Sequence, residues 1–151
     1  MAAGPFTHVQ SGKLNIGKGL IDLDSDTFFV VLLTAAHTPA ITTHTAYSDI
    51  SPNQIANGNG YTTGGQQLTG ITLTATGNVV TFDANDAAWA GATITAKYAY
   101  IVKRAAGTGI PVAADLLLGY VDLNTDSGAA TVSSSAAEFK VTWNAAGIFT
   151  Y

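Results

Sequence analysis

The stretch Thr27–Thr34, TFFVVLLT, carries an unbroken run of large apolar residues from Phe28 to Leu33. Strand side chains alternate between the two faces of a sheet, so a strand with this run presents apolar groups on both. It needs cover on each face from its own chain, or cover on the second face from a partner chain. Phe and Val favour a strand, and the run is too short for a typical buried helix. It also falls far short of the roughly 20 residues that a membrane-spanning helix needs.

Other segments show the same two-residue period with only one apolar face. In GYTTGGQQLTGITLTAT (Gly60–Thr76), Ile71, Leu73 and Ala75 interleave with Thr72, Thr74 and Thr76. A phosphate-binding loop needs its glycines before a helix, whose N-terminal N–H groups converge on the anion. Here a strand follows, so the glycine cluster is expected to be slack before it. A Gly77-Asn78 turn into NVVTFD then signals a hairpin. In ATITAKYAYIV, Ile94, Ala96, Tyr98, Tyr100 and Val102 are expected on one face. LLLGYVDL reads as a further strand, and EFKVTWN places Phe139, Val141 and Trp143 inward with Glu138, Lys140 and Thr142 outward.

The links between these segments are rich in turn residues. Residues 1–26 read as an N-terminal arm, with at most a turn or two of helix between Lys13 and Leu20. Residues 35–67 read as a long connection, with a short helical turn at SPNQI capped by Ser51 and started by Pro52. Connections of that length usually carry a function or an interface. DANDAAWAG reads as a tight turn capped by Asp83 or Asn85, with Trp89 as an exposed anchor. KRAAGTGIPVAAD and NTDSGAATVSSSAA read as loops, the second flexible and polar. Six to eight short strands with frequent turns predict an all-β fold, an antiparallel β-sandwich over residues 27–151 with long loops.

Charge narrows the partners. Only 11% of the 151 residues are charged and the formal net charge is −4. A surface so poor in charge suits a chain that hides area against partners. The six Lys and Arg are scattered, and only Lys103-Arg104 are adjacent. Nucleic-acid binding draws on clustered cations, so none is expected. There is no cysteine, which removes disulfides, zinc thiolates and thiol nucleophiles. The opening residues have neither a basic stretch nor an apolar core, so no signal peptide is expected.

Candidate chemistry is sparse. Asp22, Asp24 and Asp26 in DLDSDT suggest a calcium loop, but Thr27 and Leu33 stand at the sixth and twelfth places, where an EF-hand needs Gly and a bidentate Glu. A solvated turn is the expectation. His8, His37 and His44 match no metal or catalytic spacing and read as interface or surface residues. No GxSxG occurs, and the single glutamate, Glu138, has no evident carboxylate partner for glycoside hydrolysis. Asp122, ending its strand, is expected to accept backbone hydrogen bonds. Tyr98, Tyr100, Tyr120, Phe139 and Trp143 are explained by core packing. No catalytic, cofactor-binding or metal-binding residue is assigned.

Several short motifs recur in a recognisable order. They are Gly-Tyr-Thr-x-Gly-Gly-x-x-Leu at Gly60–Leu68, Asp-x-x-Trp at Asp86–Trp89, Tyr98-Ala99, Leu-x-Gly-Tyr-x-Asp at Leu117–Asp122, and AAGI at Ala145–Ile148. The opening Asn15–Leu33 belongs to the same series. Together they resemble a family of small structural proteins of tailed bacteriophages that includes capsid decoration, or cement, proteins. The resemblance implies a β-sandwich, often jelly-roll-like, docked on the outside of the phage head. It implies the major capsid protein and further copies of itself, commonly in trimers, as partners, with assembly on the virion after synthesis in the host cytoplasm. A tail or head-fibre component fits the same composition. A small carbohydrate-binding module using Asp22, Asp24 and Asp26 for calcium is the alternative from another class. No membrane partner, cofactor or enzymatic activity is expected.

Overall fold

The structure, a computed structural model, describes residues 3–105, 107, 109–124 and 131–151. Its elements in chain order are β1 (Thr7–His8), α1 (Gln10–Gly17), β2 (Thr27–Leu33), β3 (Gln66–Gln67), β4 (Thr72–Thr76), β5 (Val79–Asp83) and β6 (Ala87–Ala92). There follow β7 (Thr95–Ala96), β8 (Tyr98–Arg104), β9 (Leu116–Asp122), β10 (Val132–Ser133), β11 (Ala137–Val141) and β12 (Phe149–Thr150). Every named strand pairing is antiparallel. The fold is an all-β, sandwich-like arrangement.

One layer is a five-stranded sheet in the order β1-β9-β8-β2-β3. The other comprises β12-β5-β4 and the pairs β11-β6 and β10-β7. β2 sits inside the first sheet, in full register with β8 from Thr27↔Arg104 to Leu33↔Tyr98. Its inner side chains, Phe28, Val30 and Leu32, join Ala99 and Ile101 of β8 and Leu118 of β9 against Phe82, Trp89, Phe139 and Val141. Burying each large apolar side chain stabilises the fold by about 1.5–3 kcal/mol.

The outer face of the same sheet is also covered. Val31, Leu33, Tyr100, Val102 and Leu117 pack there with Val9, Tyr47 and Ile50. Tyr47 and Ile50 come from the long connection, folded into short 3₁₀ turns at Tyr47–Asp49 and Ser51–Asn53. This chain therefore supplies both covers for its most apolar strand. The second turn begins at Pro52's neighbourhood as expected, but Ile50 occupies the cap position and no side chain caps it.

Three expectations are corrected here. Residues 3–26 of the expected arm do not extend from the body. β1 pairs with β9, Val9 is fully buried, and Ile21 and Leu23 enter the inner core. Ile94 and Ala96 do not share a face with Tyr98, Tyr100 and Val102: the first two lie in the inner core and the rest on the outer face. Lys97, between β7 and β8, shifts the alternation by one residue while its N–H donates to the Leu33 carbonyl at 2.8 Å. Finally, AAWAGA forms β6, paired with β11, and Trp89 is only 6% exposed. Long-range pairing with β11, which sets Trp89 opposite Phe139, overrides the turn-like composition. The polar tract expected after Asn124 falls partly outside the described residues, at 125–130.

Candidate functional site: a buried histidine–tyrosine cluster and a groove beside the N-terminal helix

Over the outer face, the strand period sets Tyr98 and Tyr100 on β8 beside Tyr120 on β9. Tyr100 and Tyr120 stack with ring centroids 5.0 Å apart, and Tyr98 meets Tyr120 edge-on at 5.8 Å. The long connection lays His37 on them, its Nε2 2.9 Å from the Tyr100 hydroxyl. His44 lies 5.3 Å from His37, centroid to centroid. The surface placement expected of the histidines fails for His37, which is 3% exposed. Burial, assisted by His44, pushes its pKa down to about 4. Burial likewise raises the Tyr100 hydroxyl above the ordinary tyrosine range. A neutral imidazole bonded to a neutral phenol holds the connection onto the sheet; neither group is poised as a base or nucleophile at neutral pH.

A second polar chain lies at the open side of β2. The Tyr61 hydroxyl accepts from the Leu32 N–H at 3.1 Å and from Gln54 Nε2 at 2.8 Å. The Tyr47 hydroxyl donates in turn to Gln54 Oε1. β3 is too short to pair with this end of β2, so Tyr61 satisfies a buried donor that would otherwise be orphaned. The glycines around it are required by contact and are not slack. A Cβ on Gly65 would stand 1.9 Å from the Val30 carbonyl oxygen, and one on Gly60 2.7 Å from Ala92 Cα, both at positive φ.

The carboxylates singled out in the sequence are occupied locally. Asp22 accepts from the Asp24 N–H at 3.0 Å and the Ser25 N–H at 3.3 Å. Asp26 accepts from the Asp22 N–H at 2.7 Å and pairs with Lys103 at 3.4 Å. Bonds to Ser25 and Asp24 hold the Asp22 carboxyl below its usual range. Among the described residues no group of three or more His, Asp or Glu is placed to hold a metal ion. Asp122 bonds Lys97 at 2.9 Å and accepts the Asn124 N–H at 2.9 Å, as a strand-end residue does. Asp86 accepts the Trp143 N–H at 3.0 Å and pairs with Lys140 at 3.1 Å. The Asp-x-x-Trp motif thus ties β6 to the end of β11. Arg104 is buried, donating to the carbonyls of Gly109 and Ala105 at 3.1 and 2.6 Å, and Asp115 accepts two N–H groups of the same loop.

Two cavities, of about 380 and 370 Å³, flank β1. Both include His8 and Phe149, and the second is completed by Lys13, Ile16, Thr150 and Tyr151. Phe6, His8 and Phe149 form the wall between them, with His8 edge-on to Phe149 at 4.4 Å. No family model, curated protein or solved structure matches the chain. What the molecule does must be read from its own surfaces. The groove went unseen in the sequence because its walls lie more than a hundred residues apart; the exposed spacing of Gln10, Lys13, Leu14, Gly17 and Lys18 was the one local signal.

Proposed function

We propose that this protein is a structural component of a tailed-phage virion, a decoration protein that binds the outer surface of the head and stabilises the assembled shell. The observation carrying this reading is the ordered series of motifs from Asn15 to Ile148 that resembles that family. In support, the motif residues serve as scaffold: Tyr61 completes β2, while Asp86 and Trp89 join β6 to β11. The low charge and the exposed Leu14, Leu20, Ile41 and Val112 suit a module that buries area on neighbours. A protein that binds the assembled shell and not its free subunits stabilises that shell by mass action. Copies meeting at a symmetry axis, as in a trimer, add to each other's attachment through multivalency.

The test is co-sedimentation of the purified protein with tailed-phage heads lacking their own decoration, followed by heating of the decorated particles. Saturable binding and a higher temperature of shell disruption are expected. Protein left in the supernatant, or particles labelled on the tail when imaged, would overturn the assignment to the head.

A further inference from the structure

The cations of this acidic chain are distributed unevenly. Lys97, Lys103 and Lys140 are spent in ion pairs with Asp122, Asp26 and Asp86. Arg104 is buried beneath backbone carbonyls. The two others, Lys13 and Lys18, make no ion pair among the described residues and project from the exposed face of α1 and its cap. Between them on that face lies Leu14, 54% exposed. Lys13 also overhangs the groove of about 370 Å³ floored by Ile16 and Phe149 and edged by Tyr151. That groove runs between β1 and β12, each the end strand of its sheet. End strands offer backbone groups to an added extended chain.

We propose that the exposed face of α1 and this groove bind an extended acidic segment of a partner protein, with its carboxylates on Lys13 and Lys18 and its apolar side chains against Leu14, Ile16 and Phe149. The assignment rests on the reading of the protein as a binding module, and it names the surface and the chemistry of its partner. Charge complementarity favours this occupant. Lys13 and Lys18 are the two lysines left without an ion pair among the described residues, so an acidic segment is the partner whose charge they complement. The apolar floor asks for side chains that phosphate backbones lack.

The experiment uses the full chain and a labelled peptide of alternating glutamate and leucine, followed by fluorescence anisotropy at low salt. Its controls are the lysine-for-glutamate peptide, a single-stranded oligonucleotide and anionic lipid vesicles. The acidic peptide is expected to bind at least about tenfold more tightly than the basic one, and a Lys13→Glu/Lys18→Glu double variant should lose about tenfold or more. Thr74→Glu, on β4 at the opposite edge of its sheet, should change nothing. Both variants alter exposed side chains, and circular dichroism verifies their folding. Equal binding of the two peptides, no loss in the double variant, or preference for the oligonucleotide or vesicles would each overturn the proposal. Running the same variants against phage heads separates the two readings. If the acidic peptide shows no selective binding while wild type and double variant sediment alike with heads, the surface is wrong and the decoration role stands. If the peptide binds as expected but heads are ignored, the surface stands and the decoration role falls.

Discussion

Tyr61 shows how one hydroxyl can replace a missing strand neighbour. Its oxygen takes the Leu32 N–H in a buried setting, and burial raises its pKa to about 12, so it stays a neutral phenol. Tyr61→Phe leaves that donor unpaired and is expected to cost about 1–3 kcal/mol, read as a lower urea midpoint with an unchanged slope. His37 sets a pH dependence. Its folded pKa of about 4 lies below the ordinary 6.5, so the unfolded chain binds more protons between those values. Its contribution is complete above pH 6.5 and drains away as pH falls to about 4, a loss on the order of 3 kcal/mol. His8, also pushed down by burial, acts in the same direction. Unfolding midpoints between pH 7 and 4 should fall less steeply in His37→Gln than in the wild type; parallel curves would remove His37 from the account. Neither role was legible in the sequence. A histidine between Thr and Ala in a Pro-containing loop gives no hint that the loop will close over a tyrosine face.

At the scale of elements, β6 is the instructive case. Its residues, Ala and Gly around a single Trp, carry weak strand propensity, and reading them as a turn follows from composition alone. Long-range pairing with β11 makes them a strand, with Trp89 opposite Phe139 in the register. Trp89→Ala is expected to cost about 3–5 kcal/mol because it removes a buried indole from that seam. Thermal unfolding should show it, and a loss under 1 kcal/mol would mean that the site collapses to fill the void. The N-terminal segment is a second case. β1, Val9 and α1 cover the β9 edge, with Gly12 so close to Leu118 that a Cβ would meet its carbonyl oxygen at 2.3 Å. Deletion of residues 1–20 is therefore expected to lower the melting temperature sharply and expose apolar surface to a hydrophobic dye. A truncated chain that melts like the parent would show that this segment is an appendage after all.

Across the whole molecule, the two-sided burial of β2 organises everything else. The run from Phe28 to Leu33 required two apolar covers, and the alternation in Ile71–Thr76 and Glu138–Trp143 required a sheet with one side buried. Those requirements are local and periodic, so strand class, the Gly77-Asn78 hairpin and the sandwich were determined by the amino-acid order itself. Which cover lay on the outer face was not. The choice between a partner chain and the connection carrying His37, Tyr47 and Ile50 depends on how that connection folds back, a matter of long-range contacts that leave no period. The same holds for the groove between β1 and β12 and for the absence of an ion pair at Lys13 and Lys18 among the described residues. Sequence spacing sets which side chains share a strand face, whereas only tertiary packing decides which distant faces meet and which charges find partners.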